Sequence, residues 1–318
     1  MAALGARRTV SAAGTLALQL AMLLALPPLL PGVIGRVKAW FAGRRGRPLL
    51  QTYHDLFKLL GKGAVYSRTT TWLFRAGPVV SLACLILAGL IVPLSGPRAP
   101  FGFTGDVVLF AALFALARFF TLAAALDTGS SFEGMGASRD AAFSALAEPT
   151  LFLVLAIMCL PGGAPSFAGA WTALSPGASG VGRAPWFAAA AALFVVYLAE
   201  NSRIPVDDPE THLELTMIHE VMVLDHGGPD LAFILYGSAL KLFVLGAVLV
   251  HLVLPFPASG SWTFVATLVA GELALGVVVG TVESIMARQR LQQVPQLLIG
   301  AFAIAAVGLA SVTFQGVR

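Results

Sequence analysis

Charged residues are scarce in this 318-residue chain. Asp, Glu, Lys and Arg make up 11% of it, against about a quarter of an ordinary soluble domain, while hydrophobic residues make up 58% and the mean hydropathy is +0.85. A soluble protein of this length would expose too much apolar surface to water. The composition therefore excludes a large soluble domain and indicates a single integral membrane domain over residues 1–318.

Cysteine is almost absent. Cys84 and Cys159 each lie inside an apolar run, and they form no CxxC or Cys/His metal-binding pattern. They are typical of small core residues. The sequence therefore predicts no iron–sulfur cluster, nickel site or other metal site within this chain.

Long apolar runs dominate the rest, and a spanning helix needs about 20 apolar residues. They predict an all-α, polytopic bundle of about eight transmembrane helices, of which the fourth is short and must be compensated by tilt or by a neighbour. The predicted spans are residues 13–34, 76–95, 105–126, 147–162, 185–202, 231–254, 262–284 and 294–313. The first is expected to be retained, since Pro27 and Pro28 stand where a signal peptide has a small-residue cleavage site. The chain shows no internal repeat, which argues against a typical secondary transporter.

Basic residues are unevenly distributed. Nine of the twenty Lys and Arg residues lie in the loop at residues 35–75, so the positive-inside rule makes this loop cytoplasmic. With eight spans, both termini then lie on the non-cytoplasmic side. The net charge of +4 therefore bears on topology and not on nucleic-acid binding. Within this loop, residues 49–60 predict an amphipathic helix at the membrane surface, with or without a further role.

The remaining loops fall on both sides of the membrane. Residues 127–146 and 285–293 are expected to be cytoplasmic loops. On the opposite side, residues 93–105 and 161–185 are rich in Pro, Gly, Ser and Ala and are expected to be flexible connectors.

Half of the sixteen acidic residues lie in residues 199–230, at the cytoplasmic edge of the fifth span. Pro205 and Pro209 must end any helix that continues from that span, and such a turn is tolerated only when it is buried in protein or lines a watery cavity. Clustered carboxylates repel one another, which raises some of their pKa values and makes proton exchange near neutral pH feasible. Apolar residues between the acids predict that the segment packs against another part of the chain. The seven-residue spacing of His212 and His219 does not favour a metal site.

Arg118, Lys241, Glu272 and Glu283 lie within predicted spans, where charge is costly and usually functional, and Glu148 and Glu200 lie at span edges. At 100° per residue, Glu272 and Glu283 lie on one face of a helix, about 16 Å apart along its axis. This arrangement resembles a proton-relay ladder. The alternative is that these charges merely pair, for example Arg118 or Lys241 with a glutamate.

Residues 199–207 read AENSRIPVD and resemble the AE-x-x-R-x-P-F/V-D signature of the membrane subunit that anchors the hydrophilic arm of respiratory complex I, subunit 1. The equivalent subunit of membrane-bound [NiFe] hydrogenases carries the same signature. LDTGSSFEGMGASRD at 126–140 resembles a segment of the formate hydrogenlyase subunit 4 family. Further stretches that resemble this hydrogenase branch are RGRP at 45–48, YHDLFKL at 53–59, LARFF at 116–120, AEP at 147–149 and ESIMAR at 283–288.

The resemblance implies a non-catalytic subunit of a multisubunit oxidoreductase in the plasma (inner) membrane of a prokaryote. The implied partners are a small [4Fe–4S] subunit and a large [NiFe]-type subunit on the cytoplasmic face, with antiporter-like membrane subunits alongside. Cofactors are expected in those partners and none in this chain. The expected role is membrane anchoring and proton coupling in a complex of the formate hydrogenlyase or group 4 [NiFe] hydrogenase type. A quinone-chamber subunit of a complex I-like NADH:quinone oxidoreductase, which would bind quinone, and a purely structural anchor are the alternatives.

Two sets of residues are predicted to carry this role. The proton-coupling set comprises Glu148, Glu200, Asp207, Glu210, Glu214, Glu220, Lys241, Glu272 and Glu283. The set for loop and partner docking comprises Arg44, Arg45, Tyr53, Asp55, Arg118, Asp127, Arg139, Arg203 and Pro205. Residues 211–226 depart from the family pattern, because His212 and His219 replace residues that are not histidine there and the usual Glu-Tyr-Ser end is missing. We expect differences in substrate or partner to lie in this stretch.

Overall fold

The computed structural model describes residues 12–174, 182–207, 218–254, 256 and 261–316. The chain is 75% helix and, within those ranges, contains no strand, which confirms the all-α prediction. The α-helices are α1 Ala12–Ala25, α2 Leu29–Phe41, α3 Gln51–Leu60, α4 Trp72–Ile91, α5 Asp106–Asp127, α6 Ser131–Cys159, α7 Phe167–Leu174, α8 Ala184–Glu200, α9 Gly228–Val253, α10 Ser261–Ile285 and α11 Val294–Gly316. Short 3₁₀ turns occur at Leu160–Gly162 and Glu220–Val223.

Six helices in the described ranges are long and apolar enough to cross a membrane: α4, α5, α6, α9, α10 and α11. The bent pair α1–α2 makes a seventh candidate when its two helices are counted as one span. The remaining predicted span corresponds to α8, an apolar helix of 17 residues. The chain is therefore a multi-pass helical membrane protein.

The first span is a broken helix, not the continuous segment predicted over residues 13–34. α1 and α2 meet at 41°, because Pro27 and Pro28 cannot donate backbone hydrogen bonds. Tyrosine hydroxyls satisfy carbonyls freed at the break: Tyr236 donates to Leu23 at 2.6 Å, and Tyr53 donates to Ala25. α2 then continues to Phe41, so the start of the predicted loop at 35–75 is helical.

The fourth span is long, which corrects both the short span predicted at 147–162 and the loop predicted at 127–146. α6 has 29 residues and, at 1.5 Å per residue, is about 44 Å long. The hydrocarbon core of a bilayer is only about 30 Å thick, so part of α6 projects beyond it. The polar residues in the first turns of α6 concealed the helix from a search for apolar runs.

Of two segments predicted to lie outside the spans, one prediction is confirmed and the other is wrong in part. The amphipathic helix predicted at 49–60 is confirmed as α3, which buries Leu56 and packs against α9 and α2. The flexible connector predicted at 161–185 is wrong in part, because it contains α7. A carboxylate oxygen of Asp106 accepts a hydrogen bond from the backbone N–H of Phe167 at 2.9 Å, and Phe167 packs edge-on against Trp171.

α9 is the most deeply buried of the candidate spans and contacts α4, α8, α3 and α10. α4 also packs along α5, α11 packs against α8 and α6, and α10 packs against α2. This arrangement brings α5, α6, α8 and α9 together near the end of α8 that leads into the acidic segment.

Candidate functional site

A partly buried ion cluster joins four helices around Arg118 of α5, with Glu200 as its buried member. Its guanidinium donates hydrogen bonds to Glu148 of α6 and Glu200 of α8, and its Nε lies 3.9 Å from a carboxylate oxygen of Asp140 on α6. The ammonium of Lys241 on α9 lies 3.3 Å from the second carboxylate oxygen of Glu200. Pairing of Arg118 or Lys241 with a glutamate is the alternative to a proton relay that the sequence leaves open, and both pairs are present.

Each charged group in this cluster lies near an opposite charge, but the cluster contains three carboxylates and only two cations. An isolated charge inside the membrane is costly, and each of these groups has an opposite charge within 4 Å. Glu200 lies between two cations, whereas three carboxylates share those two cations. The loss of one pair would therefore leave other ion pairs of the cluster in place.

A cavity of about 70 Å³ borders the cluster. Its polar lining includes Arg118, Asp140, Glu200, His219, His226 and Lys241. At about 10–15 Å³ per water, this volume has room for roughly five water molecules. The cavity therefore connects residues of the acidic segment with the ion cluster through a polar space.

Two histidines that follow the acidic stretch face this cavity. Burial lowers the pKa of His219, and the charge of Lys241 lowers it further. Burial also lowers the pKa of His226, whose ring stacks on Phe74 with centroids 3.9 Å apart. Both imidazoles therefore stay neutral to lower pH than an exposed histidine, which leaves one ring nitrogen of each able to accept a proton or hydrogen bond.

A second ion cluster surrounds Glu283 near the end of α10. The ammonium of Lys38 on α2 lies 3.2 Å from one carboxylate oxygen, and the guanidinium of Arg203 lies 3.3 Å from the other. The side chain of Glu283 is fully buried, so these two cations supply its local charge balance.

The turn after α8 is held by the chain that follows α10. α8 ends at Glu200, which confirms that the helix stops before Pro205. Asp207 pairs with Arg288 at 2.7 Å, and the Pro205 carbonyl accepts a hydrogen bond from the Gln289 N–H at 3.0 Å. Asp207 also accepts from the backbone N–H of His219 at 3.3 Å, which links the turn to the lining of the cavity.

Glu272 differs from the other intramembrane acids. It is 2% exposed, and neither carboxylate oxygen has a hydrogen-bond partner among the described residues. It faces Gly246 of α9, whereas Glu283 contacts α2 and Arg203. The two glutamates predicted as a ladder are thus both buried, but they contact different neighbours.

The later part of the acidic segment is described only from residue 218 onward. Glu210, Glu214 and His212 lie outside the described residues. Glu220 begins a 3₁₀ turn that packs on α6, where a Cβ added to Gly136 would lie 2.2 Å from Val221. This close contact confirms that the segment packs against another part of the chain.

The residues predicted for loop and partner docking differ in how far their side chains are exposed to solvent. Arg44 and Arg45 are exposed beyond the end of α2, as a docking role requires. Asp55 is half-buried and accepts a hydrogen bond from Gln51 at 2.9 Å, and burial raises the pKa of Tyr53. Arg118 lies within the bundle, so the structure places it in the ion cluster and away from the docking surface.

Two other predicted docking residues make local contacts. Asp127 accepts hydrogen bonds from the backbone N–H and hydroxyl of Thr71, at 2.6 and 2.8 Å, and so anchors the start of α4. The guanidinium of Arg139 lies 3.1 Å from the sulfur of Met135, one turn earlier on α6.

Sequence reasoning missed four residues of these clusters: Lys38, Asp140, His226 and Arg288. Asp140 had a usable signal, because it lies eight residues before Glu148, about 80° around the same helix. That relationship becomes visible only when α6 is extended to residue 131. Lys38 and Arg288 had no comparable local signal.

Comparison with known proteins agrees with this architecture. The model of the family described as NADH dehydrogenase matches residues 14–314. The chain is 29% identical to formate hydrogenlyase subunit 4 of Escherichia coli K12 over 306 residues, covering 92% of this chain and 96% of that protein. It is 32% identical to hydrogenase-4 component C of the same strain over 241 residues, covering 75% and 74%.

The fold also matches a solved membrane complex. A chain from the membrane-bound sulfane sulfur reductase, an archaeal respiratory membrane complex, superposes with a TM-score of 0.79 at 21% identity, covering 94% of this chain and 98% of that one. The family match spans nearly all of the described helices. The chain belongs to the NADH dehydrogenase family, alongside membrane subunits of hydrogenase and formate hydrogenlyase complexes.

Proposed function

We propose that this chain is the membrane-anchoring and proton-coupling subunit of a complex of the formate hydrogenlyase or group 4 [NiFe] hydrogenase type, in the plasma (inner) membrane of a prokaryote. One observation carries the proposal: the cluster of Arg118, Glu148, Glu200 and Lys241 joins four helices beside a polar cavity. The similarity to formate hydrogenlyase subunit 4 and hydrogenase-4 component C supports the choice of complex.

The coupling begins at the turn after α8. Redox chemistry in peripheral subunits, docked on the cytoplasmic loops, displaces the segment that contains Asp207. Because Asp207 holds the backbone of His219, and His219 lines the cavity, that displacement alters the surroundings of Glu200 and Lys241. A change in the distance between these charges changes the proton affinity of the cluster.

Protons then leave the cluster through the other buried groups of the bundle. Glu148 and Lys241 supply the exit from the Glu200 site, and Glu272 and Glu283 extend the path along α10 toward antiporter-like subunits. Glu272 suits a relay position, because it is buried within α10 and has no hydrogen-bond partner among the described residues. Glu283 is held by two cations, Lys38 and Arg203, at the end of this path.

The redox centres are assigned to partner subunits. A small [4Fe–4S] subunit and a large [NiFe]-type subunit would dock on the exposed basic surface that contains Arg44 and Arg45 and on the turn at Arg203 and Pro205. The described part of the chain brings together no group of three His, Cys, Asp or Glu side chains suited to a metal ion.

Quinone binding is not part of the proposal. The cavity beside the ion cluster has a volume of about 70 Å³, below the roughly 300 Å³ at which pockets for drug-sized ligands begin. A purely structural anchor is the competing function, and it predicts that neutralising Glu200 leaves proton coupling unchanged once the complex assembles.

The test is proton translocation in inverted membrane vesicles that contain the whole complex, with electron transfer measured in the same sample. Glu200→Gln is expected to assemble and transfer electrons while translocating about tenfold fewer protons per electron. Asp225→Asn is the matched control, because Asp225 is an exposed acid of the same segment outside the cluster. Unchanged coupling in an assembled Glu200→Gln complex would reject the proposal.

A further inference from the structure

A larger cavity lies at the opposite end of the bundle from the ion cluster. Its volume is about 490 Å³, within the range of about 300–1,000 Å³ typical of ligand sites. The end of α9, the start of α10, α7 and the chain after α4 surround it. Its walls include Arg98, Trp171, His251, Leu254, Phe256 and Phe264. α9 begins beside the basic loop, where Gly228 contacts Gly63, and ends at this cavity, so the cavity lies at the other membrane face.

His251 places an unsatisfied nitrogen at this cavity. The residue is 3% exposed, and its Nδ1 lies 2.6 Å from the carbonyl oxygen of Ala247. Because a carbonyl can only accept, Nδ1 carries the hydrogen. The ring is buried and no acid is among the described residues that line the cavity, so an imidazolium charge would be costly and Nε2 is left as an acceptor. Within the described residues, Nε2 has no hydrogen-bond partner.

A buried acceptor of this kind requires a donor. The ring of His251 stacks on Phe256 with centroids 3.9 Å apart and lies 4.3 Å from the ring of Trp171. Aromatic faces attract ammonium groups. A primary ammonium would therefore satisfy both features, since it can donate to Nε2 while it contacts the rings.

The positive charge of Arg98 further limits which ligands this cavity can bind. It is exposed at the wall of the same cavity, and its positive charge disfavours a ligand that carries only an ammonium. A phosphate beside that ammonium would pair with the guanidinium. A phospholipid headgroup at the membrane interface carries both charges when it contains ethanolamine.

We propose that this cavity binds the headgroup of an ethanolamine phospholipid, with the ammonium donating to Nε2 of His251 and the phosphate paired with Arg98. The bound headgroup joins α7, α9 and α10 at the face of the membrane opposite the ion cluster. This site is independent of the proton-coupling proposal, and either can fail without the other.

Native mass spectrometry of the full-length, delipidated chain in detergent tests the proposal, with dioleoyl phosphatidylethanolamine, phosphatidylcholine and phosphatidylglycerol added in turn. The wild-type chain is expected to retain the ethanolamine lipid about tenfold more tightly than the choline lipid, since a trimethylated ammonium cannot donate to Nε2. The glycerol lipid, which has no ammonium, should also bind more weakly. Equal retention of the ethanolamine and choline lipids would overturn the site without any mutation.

Two variants assign the contacts. His251→Phe keeps an aromatic ring but removes the acceptor, so the preference for ethanolamine over choline should disappear, and His251→Gln should restore part of it through its amide oxygen. Arg98→Gln should weaken all three lipids alike, whereas the control Arg183→Gln, at another exposed arginine, should not. Circular dichroism confirms folding of each variant.

Either of two results would contradict the site. One is a preference for ethanolamine that persists in a folded His251→Phe chain. The other is an assembled complex in which a side chain of a partner subunit occupies the cavity and no phospholipid is retained there.

Discussion

Gly246 of α9 leaves the space that the carboxyl group of Glu272 on α10 occupies. A Cβ added to Gly246 would lie 2.7 Å from one carboxylate oxygen and 3.0 Å from the other. The absence of a side chain at one residue therefore allows a buried acid at another, across a helix–helix contact within the membrane.

The first prediction follows from this contact. Gly246→Ala should lower the free energy of unfolding by about 1–3 kcal/mol, because Glu272 must move within a packed interior. Gly237→Ala on the same helix is the control, since its nearest neighbouring atom would lie at 3.6 Å, an ordinary contact. That control should be neutral or stabilising by about 0.5–1 kcal/mol. Thermal unfolding in detergent measures both, and equal effects would show that the carboxyl group does not occupy the space beside Gly246.

A second prediction concerns the energetic cost of Glu272. Glu272→Met should raise the free energy of unfolding by about 1–3 kcal/mol, because it replaces a buried carboxyl that lacks a partner among the described residues with an apolar side chain of similar length. If Glu272 is a relay, the same variant should lose proton translocation in the assembled complex. Denaturant unfolding and vesicle assays separate the two effects. A destabilised Glu272→Met chain would mean that the carboxyl has a stabilising partner.

The ion cluster provides a third prediction. Glu200→Leu should destabilise the chain by about 1.5–3 kcal/mol, since it removes the charged hydrogen bonds of Glu200 to Arg118 and Lys241 while Arg118 keeps Glu148 and Asp140. The double variant Arg118→Met/Glu200→Leu should cost less than the sum of the two single variants. A double-mutant cycle measures this coupling.

The control for that cycle pairs Glu200→Leu with Arg183→Gln. Arg183 lies at the other end of α8, about 25 Å away along the helix. Their effects should add within about 0.3–0.5 kcal/mol. Additive effects for Arg118 and Glu200 as well would argue against an energetically coupled cluster.

The fourth prediction is a dependence of stability on pH. Burial lowers the pKa of His226 below its usual value of 6.5, although Asp230 and Asp225 act in the opposite direction. Between the folded and unfolded pKa values, the unfolded chain binds more protons, so stability should fall as the pH drops from about 7 toward 5. His226→Phe preserves stacking on Phe74 and should reduce this dependence, and the lowered pKa of His219 accounts for part of what remains. Unfolding temperatures of the wild-type chain and of the variant across that pH range measure the difference, and equal slopes would contradict the prediction.

The sequence predicted the existence of helices better than the residues at which they begin and end. The errors lie where polar and apolar residues gave conflicting indications. The apolar stretch around Leu26 hid the break at Pro27, because the mean hydropathy of a window ignores one missing hydrogen bond. The polar stretch from Ser131 to Asp140 hid the first turns of α6, because a helix that leaves the bilayer no longer needs apolar residues. α7 was missed because eight residues among Pro, Gly and Ser are too few for a periodic signal.

The sequence by itself determined that this chain is a helical membrane protein, since the number and length of its apolar runs leave no other way to satisfy the backbone in lipid. It also identified the acids and bases that are costly in that environment, and the motif at 199–207 connected them to a family. Only the tertiary structure decided which charges meet. Arg118 reaches Glu148 and Glu200 across 30 and 82 residues, and Lys241 reaches Glu200 across 41. Such pairings depend on how four helices pack, which local periodicity does not encode, and the same packing leaves Glu272 facing a glycine instead of a cation.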